Sequence, residues 1–221
     1  MLDKAKTFLG YALDSVDEEI GRIREFYFDD RHWVIRYVVA DTGSWLAGRQ
    51  VLISPDALDA VSREQQRIVL GLTKREIEEQ PSLNLDQPVA PQLGAAWDGQ
   101  LRSTRDVNRF YVQATDGEMG HVEDVIIDDD AWVIRYLVIN TQNWGPGKRI
   151  LISPQWIERM TWDHGAMFVG LSGQTIRQSP EFTERTLIAR DYERQLYRYH
   201  NRRGYWTDEP RTSEWGARES A

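Results

Sequence analysis

Cysteine is absent from this chain. That excludes disulfides, thiolate metal sites, c-type haem attachment and thiol catalysis, and makes the cytoplasm the default compartment. Histidine is scarce, with 4 residues: His32, His121, His164 and His200. None stands at metal-ligand spacing, so solvated surface histidines are expected. No apolar run approaches the ~18–20 residues that a membrane helix needs. The opening MLDKAKTFLGYAL is too short in its apolar part, and too soon acidic, for a secretory signal. No glycine-rich loop leads from a strand into a helix, which removes the common phosphate cradles. Positive charge is also in deficit, with 27 Lys and Arg against 35 Asp and Glu and a sequence pI of about 5.1. Nucleic acid and anionic membrane surfaces draw on clustered cations, so neither is expected as the main partner. Only Arg190–Arg203 is locally basic, and it also holds Asp191 and Glu193.

What is present is a repeat. Residues 17–55 read DEEIGRIREFYFDDRHWVIRYVVADTGSWLAGRQVLISP, and residues 116–154 read DGEMGHVEDVIIDDDAWVIRYLVINTQNWGPGKRILISP. Gly21 maps to Gly120, Trp33 to Trp132, Trp45 to Trp144 and Pro55 to Pro154, every pair 99 positions apart. The offset continues through Gly71/Gly170, Ile77/Ile176 and Pro81/Pro180. One folded unit therefore occurs twice. The division expected is a first barrel over 1–81, a connector over 82–107, a second barrel over 108–181, and a C-terminal helix and tail over 182–221.

Each copy reads as short strands joined by turns. In copy two the alternation from Gly120 to Ile127 predicts a half-buried strand, Asp128-Asp129-Asp130 a turn, and Trp132–Ile139 a second strand rich in β-branched and aromatic residues. Arg149–Ile152 and a hairpin across Asp163-His164-Gly165 complete the set. The spacing predicts a mainly β fold with short helices, two tandem small β-barrels related by a pseudo-two-fold axis. Thr73 with Glu76 three residues on predicts a capped helix before Pro81. Ile188, Tyr192, Leu196 and Tyr199 predict an amphipathic C-terminal helix of about four turns, followed by a polar, frayed tail from Thr207.

Strict alternation along the long strand puts Trp33, Ile35 and Tyr37 on one face, and Val34, Arg36 and Val38 on the other. The same division sets Val133, Arg135 and Leu137 apart in copy two. Two apolar residues around one arginine exceed the needs of a solvated face. These six residues are therefore candidate contacts with the other barrel or a flanking helix. Trp45 and Trp144, each three residues before a glycine, are candidate loop anchors or partner contacts. Asp17, Glu19, Asp116 and Glu118 are candidate structural ion-pair partners for Arg36 and Arg135.

The run Tyr111-Val-Gln-Ala-Thr-Asp-Gly-Glu-Met-Gly-His-Val-Glu-Asp, with Trp132-Val-Ile-Arg-Tyr-Leu-Val, Asn143-Trp144-Gly-Pro-Gly-Lys and Leu151-Ile-Ser-Pro, strongly resembles the PRC-barrel family. The family takes its name from the cytoplasmic domain of the photosynthetic reaction centre H subunit, and includes the C-terminal domain of a bacterial small-subunit ribosome maturation factor. The chain looks like the free-standing soluble bacterial group with two tandem barrels, over most of residues 8–81 and 108–206. Copy one departs in its loop, with Ser44-Trp45-Leu-Ala-Gly for Asn143-Trp144-Gly-Pro-Gly. The resemblance implies a small β-barrel that makes protein contacts. No residue role carries over, and no segment matches the H subunit's membrane helix or the ribosome factor's N-terminal domain.

No catalytic constellation stands out, and neither a cofactor nor a resident metal is expected. Asp128-Asp129-Asp130 offers oxygen ligands to a hard cation but lacks the spacing of a calcium loop, which favours a hairpin turn. Ser54-Pro55 and Ser153-Pro154 are strand ends rather than nucleophile elbows. A proton relay borrowed from the reaction centre would need a membrane partner. The expected function is a non-enzymatic interaction or scaffold module for an unidentified protein partner, with self-association open. The alternatives are a peripheral subunit of a membrane complex, and a small-ligand or metal carrier using the groove between barrels.

Overall fold

The structure is a computed structural model that describes residues 1–46, 48–80, 100–141 and 147–207. Trp144, most of the connector and the tail from 208 lie outside these residues.

The two copies form two seven-stranded sheets of identical order. In copy one, β2 (Ala12–Asp14), β3 (Glu19–Asp29), β4 (Ile35–Asp41), β5 (Gln50–Ile53), β6 (Leu58–Ser62) and β7 (Arg67–Leu70) run in the order β5-β4-β3-β2-β7-β6. In copy two, β9 (Tyr111–Ala114), β10 (Gly117–Asp128), β11 (Val133–Asn140), β12 (Arg149–Ile152), β13 (Ile157–Thr161) and β14 (Ala166–Val169) repeat it as β12-β11-β10-β9-β14-β13. A parallel pairing, β2 with β7 and β9 with β14, curls each sheet toward closure. Phe26, Val38, Ile53 and Ile68 in copy one, and Val125, Leu137, Ile152 and Met167 in copy two, are buried without exposure.

Gly21 and Gly120 let each long strand press closely against the end of its neighbour. Both have φ in the left-handed half of the map, at +149° and +132°. A Cβ would stand 2.1 Å from the Asp41 carbonyl oxygen or 2.0 Å from that of Asn140, so only glycine admits this backbone approach. After β7, Thr73 caps α2 (Lys74–Glu78) with a reciprocal capping box to Glu76, as its sequence predicts.

Two remaining strands cross between the copies. β1 (Leu2–Lys4), which leads into copy one, pairs antiparallel with Ile126–Asp128 of β10 in copy two. β8 (Leu101–Ser103), which leads into copy two, pairs with Tyr27–Asp29 of β3 in copy one. The short helices that follow, α1 (Ala5–Phe8) and α3 (Thr104–Val107), return each chain segment to its own barrel. The sequence boundaries at 81 and 108 are thus crossed in space, and each barrel is completed by a strand that the other copy supplies.

The strict alternation drawn from the sequence fails in both long strands, for one reason. Ile35 lies opposite Phe28 and Tyr37 opposite Tyr27, which leaves Arg36 as an extra residue in β4. Arg135 is the extra residue in β11, between Ile134 opposite Ile127 and Tyr136 opposite Ile126. A bulge switches the face of every later side chain. Val38 and Leu137 therefore join the barrel cores, while Tyr37 and Tyr136 turn outward. In copy one Tyr27 and Tyr37 pack on a satellite cluster of Val39 and Leu52.

In copy two the outward face is covered by α5 (Arg190–Tyr199), which sets Glu193 and Tyr197 against Tyr136, and by the segment linking it to α4 (Gly173–Gln178), along which Phe182 is buried. α5 is shorter than expected and differently phased: Glu193, Leu196, Tyr197 and His200 face inward, whereas Tyr199 is exposed. Glu193 takes an inward position because it accepts hydrogen bonds there from Tyr136 and Tyr205. Among the described residues no helix is long and apolar enough to cross a membrane.

Deleting Met1–Lys4 should speed amide exchange at Ile126–Asp128 of the second barrel by about tenfold or more, and leave Ile23–Ala40 of the first barrel protected. Hydrogen-exchange mass spectrometry on the intact and truncated chains reads both. Deprotection confined to the first barrel would contradict the exchange.

Candidate interaction site

The site grows outward from the pseudo-two-fold axis, which passes between two equivalent valines. Val34 and Val133 form an antiparallel bridge. On either side Ile35 N–H donates to the Trp132 carbonyl at 2.7 Å, and Ile134 N–H donates to the Trp33 carbonyl at 2.8 Å. Trp33 and Trp132 reach this position with φ of 61° and 50°, a left-handed conformation that costs a β-branched or aromatic residue about 1–3 kcal/mol. Burial offsets that strain. Trp132 lies against Phe8 and Phe26 of copy one, with ring centres 6.3 and 6.2 Å away, and Trp33 stacks on Phe28 at 5.0 Å.

An aspartate shapes each approach to the seam, buried Asp29 in copy one and half-buried Asp128 in copy two. Asp29 accepts from His32 N–H at 2.6 Å, closing the turn before Trp33, and from the Arg36 guanidinium at 2.7 Å. Asp128 holds Arg135 at 3.1 Å in the same way. The expected partners sit elsewhere because β3 and β4 are antiparallel, so the first residues of β4 meet the last of β3 rather than Asp17 or Glu19. Asp17 accepts from Ser15 Oγ and from the Lys74 N–H, and Asp116 accepts from the equivalent Gly173 N–H at 2.6 Å. Both aspartates tie the opening turn of a copy to the helix that ends it. Glu19 pairs with Arg67 at 3.1 Å, and Glu118 occupies the matching start of β10. Half-buried Trp45 is a loop anchor in the structure: its Nε1–H donates to the Ile20 carbonyl at 2.6 Å, beneath the Lys74 ammonium.

Two grooves flank the seam at symmetry-equivalent places. The first has a volume of about 710 Å³ between the copy-one turn at Asp30–Trp33 and the copy-two hairpin at Ile157–Trp162. The second, about 570 Å³, lies between the Asp129–Trp132 turn and the Pro55–Asp59 segment. Their chemistry is opposed. Four arginines and two acids line the first, whereas four aspartates and one arginine line the second.

Equivalent tertiary contacts have likewise been rewritten. Arg63 in copy one bonds Asp3 and Asp129, both at 2.6 Å. At the matching place in copy two, Trp162 lies under Arg102 at 4.1 Å, and Arg102 pairs with Asp30 at 3.3 Å. Asp128, Asp129 and Asp130 cluster closely enough to hold a cation, yet Arg63, Arg135 and the Met1 ammonium already face them. That favours the turn over a metal site.

The C-terminal segment closes one side of the cationic groove. Tyr205 stacks on Arg135 at 4.0 Å, and its hydroxyl meets buried Glu193 at 2.8 Å. Burial first, and then the neighbouring Glu193, push the Tyr205 phenol well above its ordinary range. Tyr136 is raised further by the same desolvation, with Tyr197 and Glu193 beside it. These phenols remain protonated and act as hydrogen-bond donors, not as acid–base groups at neutral pH.

A family model for the PRC-barrel domain matches residues 11–76. The chain carries a PRC-barrel domain. The match covers copy one; copy two is tied to it by the 99-position repeat and by the same strand order. No curated protein matches the chain. Within the matched residues β3 carries Gly21 and Asp29 and pairs with β4, which begins beside the seam.

Two buried groups, Asp124 and His200, give the molecule opposing pH dependences. Asp124 is pushed up to about 6, chiefly by burial, with Lys6 and Lys4 acting against it. Its native state holds the proton more tightly than the unfolded chain, so stability falls as pH rises from about 4 to 6, and the deficit is complete above that. His200, packed on Trp156 and bonded to Ser179, is pushed down to about 4 by burial. Its contribution is present above pH 6.5 and is lost as pH falls toward 4. Asp124→Asn should add about 2 kcal/mol at pH 7 and remove the first slope, and His200→Gln should flatten the second. Urea unfolding across pH 4–7.5 checks both signs.

Proposed function

We propose that this chain is a non-enzymatic protein-interaction module, a scaffold in which two PRC barrels are locked into one body so that their facing turns and hairpins present two different grooves. The observation that carries the reading is the opposed charge of grooves that share one backbone geometry. A duplicated fold kept only for stability has no need of divergence at equivalent surface positions, while two recognition sites do. Such charge patterns set partner choice and orientation more than raw affinity. The phenols around Glu193 are committed to holding α5 in place, while the two grooves are open to a partner. We place the module in the cytoplasm, in keeping with a chain that needs no disulfide.

The test is affinity capture from lysate with three baits: the wild-type chain, Arg159→Glu in the cationic groove, and the double variant Asp56→Lys/Asp59→Lys in the acidic groove. The expected result is a stoichiometric partner that one variant loses and the other retains. Identical captures by all three baits would overturn a groove-based function.

A further inference from the structure

The outward faces of the two barrels carry matching residues: Tyr37, Val39 and Leu52 stand where copy two has Tyr136, Val138 and Leu151. In copy two the chain beyond α4 covers that face. Glu181 bridges Ile150 on the outer edge of β12, Phe182 N–H donates to the Arg149 carbonyl at 2.8 Å, and Arg149 pairs with Glu184 at 3.4 Å. Phe182 and Leu196 are buried, and Ile188 and Tyr192 pack half-buried beside them. In copy one the corresponding edge, β5, bonds β4 on one side and makes no backbone hydrogen bond on the other among the described residues. Val39 and Leu52 are nevertheless 0% and 1% exposed, with Tyr27 and Tyr37 the described apolar residues packed beside them. Gln50, which stands for Arg149, is buried as well, and its Oε1 has no hydrogen-bond partner among the described residues. Buried polar atoms rarely go without one.

We propose that the outward face of copy one is a docking surface for residues 82–99 of the same chain, with Ser82 and Leu83 along the outer edge of β5 and Val89, Leu93 and Trp97 against Val39, Leu52 and Tyr37. The repeat singles out this occupant. The offset that pairs Pro81 with Pro180 runs on beyond it, so that Leu83 matches Phe182, Val89 matches Ile188, Leu93 matches Tyr192 and Trp97 matches Leu196. Four positions that pack on copy two thus have apolar counterparts in the segment. The polar contact changes at both ends together, Gln50 for Arg149 and Leu85 for Glu184, which removes the ion pair instead of leaving half of it. Both ends of the segment are also anchored on copy one. It follows α2, whose Ile77 is buried, and it leads into Gln100, which exchanges hydrogen bonds with Asp30 just before β8 joins β3.

Two measurements on the full chain test this. With p-benzoylphenylalanine in place of Tyr37, irradiation of a mixture of unlabelled and isotope-labelled chain should give cross-links to residues 83–97 within single chains. Cross-links that miss this segment, or that join labelled to unlabelled chains, overturn the proposal. Hydrogen-exchange mass spectrometry is the second measurement. Leu93→Asp should speed exchange across Gln50–Ile53 by about tenfold or more and leave Arg149–Ile152 protected. Gln92→Asp is the control, because it matches Asp191, whose side chain is exposed in copy two, and both segments should then exchange as in the wild type. Equal effects of the two variants, no effect of Leu93→Asp, or deprotection spread evenly over both barrels would overturn the docking.

Discussion

Everything in this molecule depends on two backbone hydrogen bonds that cross its pseudo-two-fold axis, Ile35 to Trp132 and Ile134 to Trp33, on either side of the Val34–Val133 bridge. They are short, buried between two barrels and related by symmetry, so breaking one leaves polar groups stranded in an apolar seam. To present their carbonyls there, both tryptophans adopt a left-handed backbone, and their rings supply the burial that holds it. Asp29 and Asp128 fix the turns that lead in, and through Arg36 and Arg135 they also fix the bulges that follow. Seam, turn and bulge form one device, present twice.

The exchanged strands make that device cooperative. β1 and β8 are only three residues each, too short to be stable sheet partners by themselves, yet each finishes the other copy's long strand. Glu25, buried beside β8, accepts from Ser103 Oγ and faces Arg105, while Asp124 occupies the same place beside Lys4 and Lys6. The pair therefore behaves as an internal version of a strand-exchanged dimer. Because one chain holds both copies, evolution was free to alter the grooves separately. A homodimer must keep two equal sites, but this chain carries one acidic and one basic.

Much of the fold was legible in the sequence, since its signals are local. The 99-position repeat, the β-rich strands around Trp132, the turn at Asp128-Asp129-Asp130 and the Thr73 capping box each depend on neighbours within a few residues. What was missed is tertiary. Nothing local marks Arg36 as a bulge, because a bulge is a property of register between two strands, and one extra residue exchanged the faces of Tyr37 and Val38. Three-residue strands carry no periodicity, so β1 and β8 left no trace. Asp29 became the partner of Arg36 only once antiparallel pairing brought the end of one strand to the start of the next. The phase of α5 escaped because a charged residue, Glu193, takes an inward position that hydrophobic spacing cannot announce. Of the groove, the arginines were visible as residues, but their gathering around one cavity was not.

The central claim is that the seam and the exchanged strands make two barrels one folding unit. Differential scanning calorimetry of the full chain tests it most directly, through the ratio of calorimetric to van't Hoff enthalpy. A single endotherm with a ratio near one is the predicted result. Two resolved transitions, or a ratio near two, would mean that the barrels unfold independently and would contradict the account.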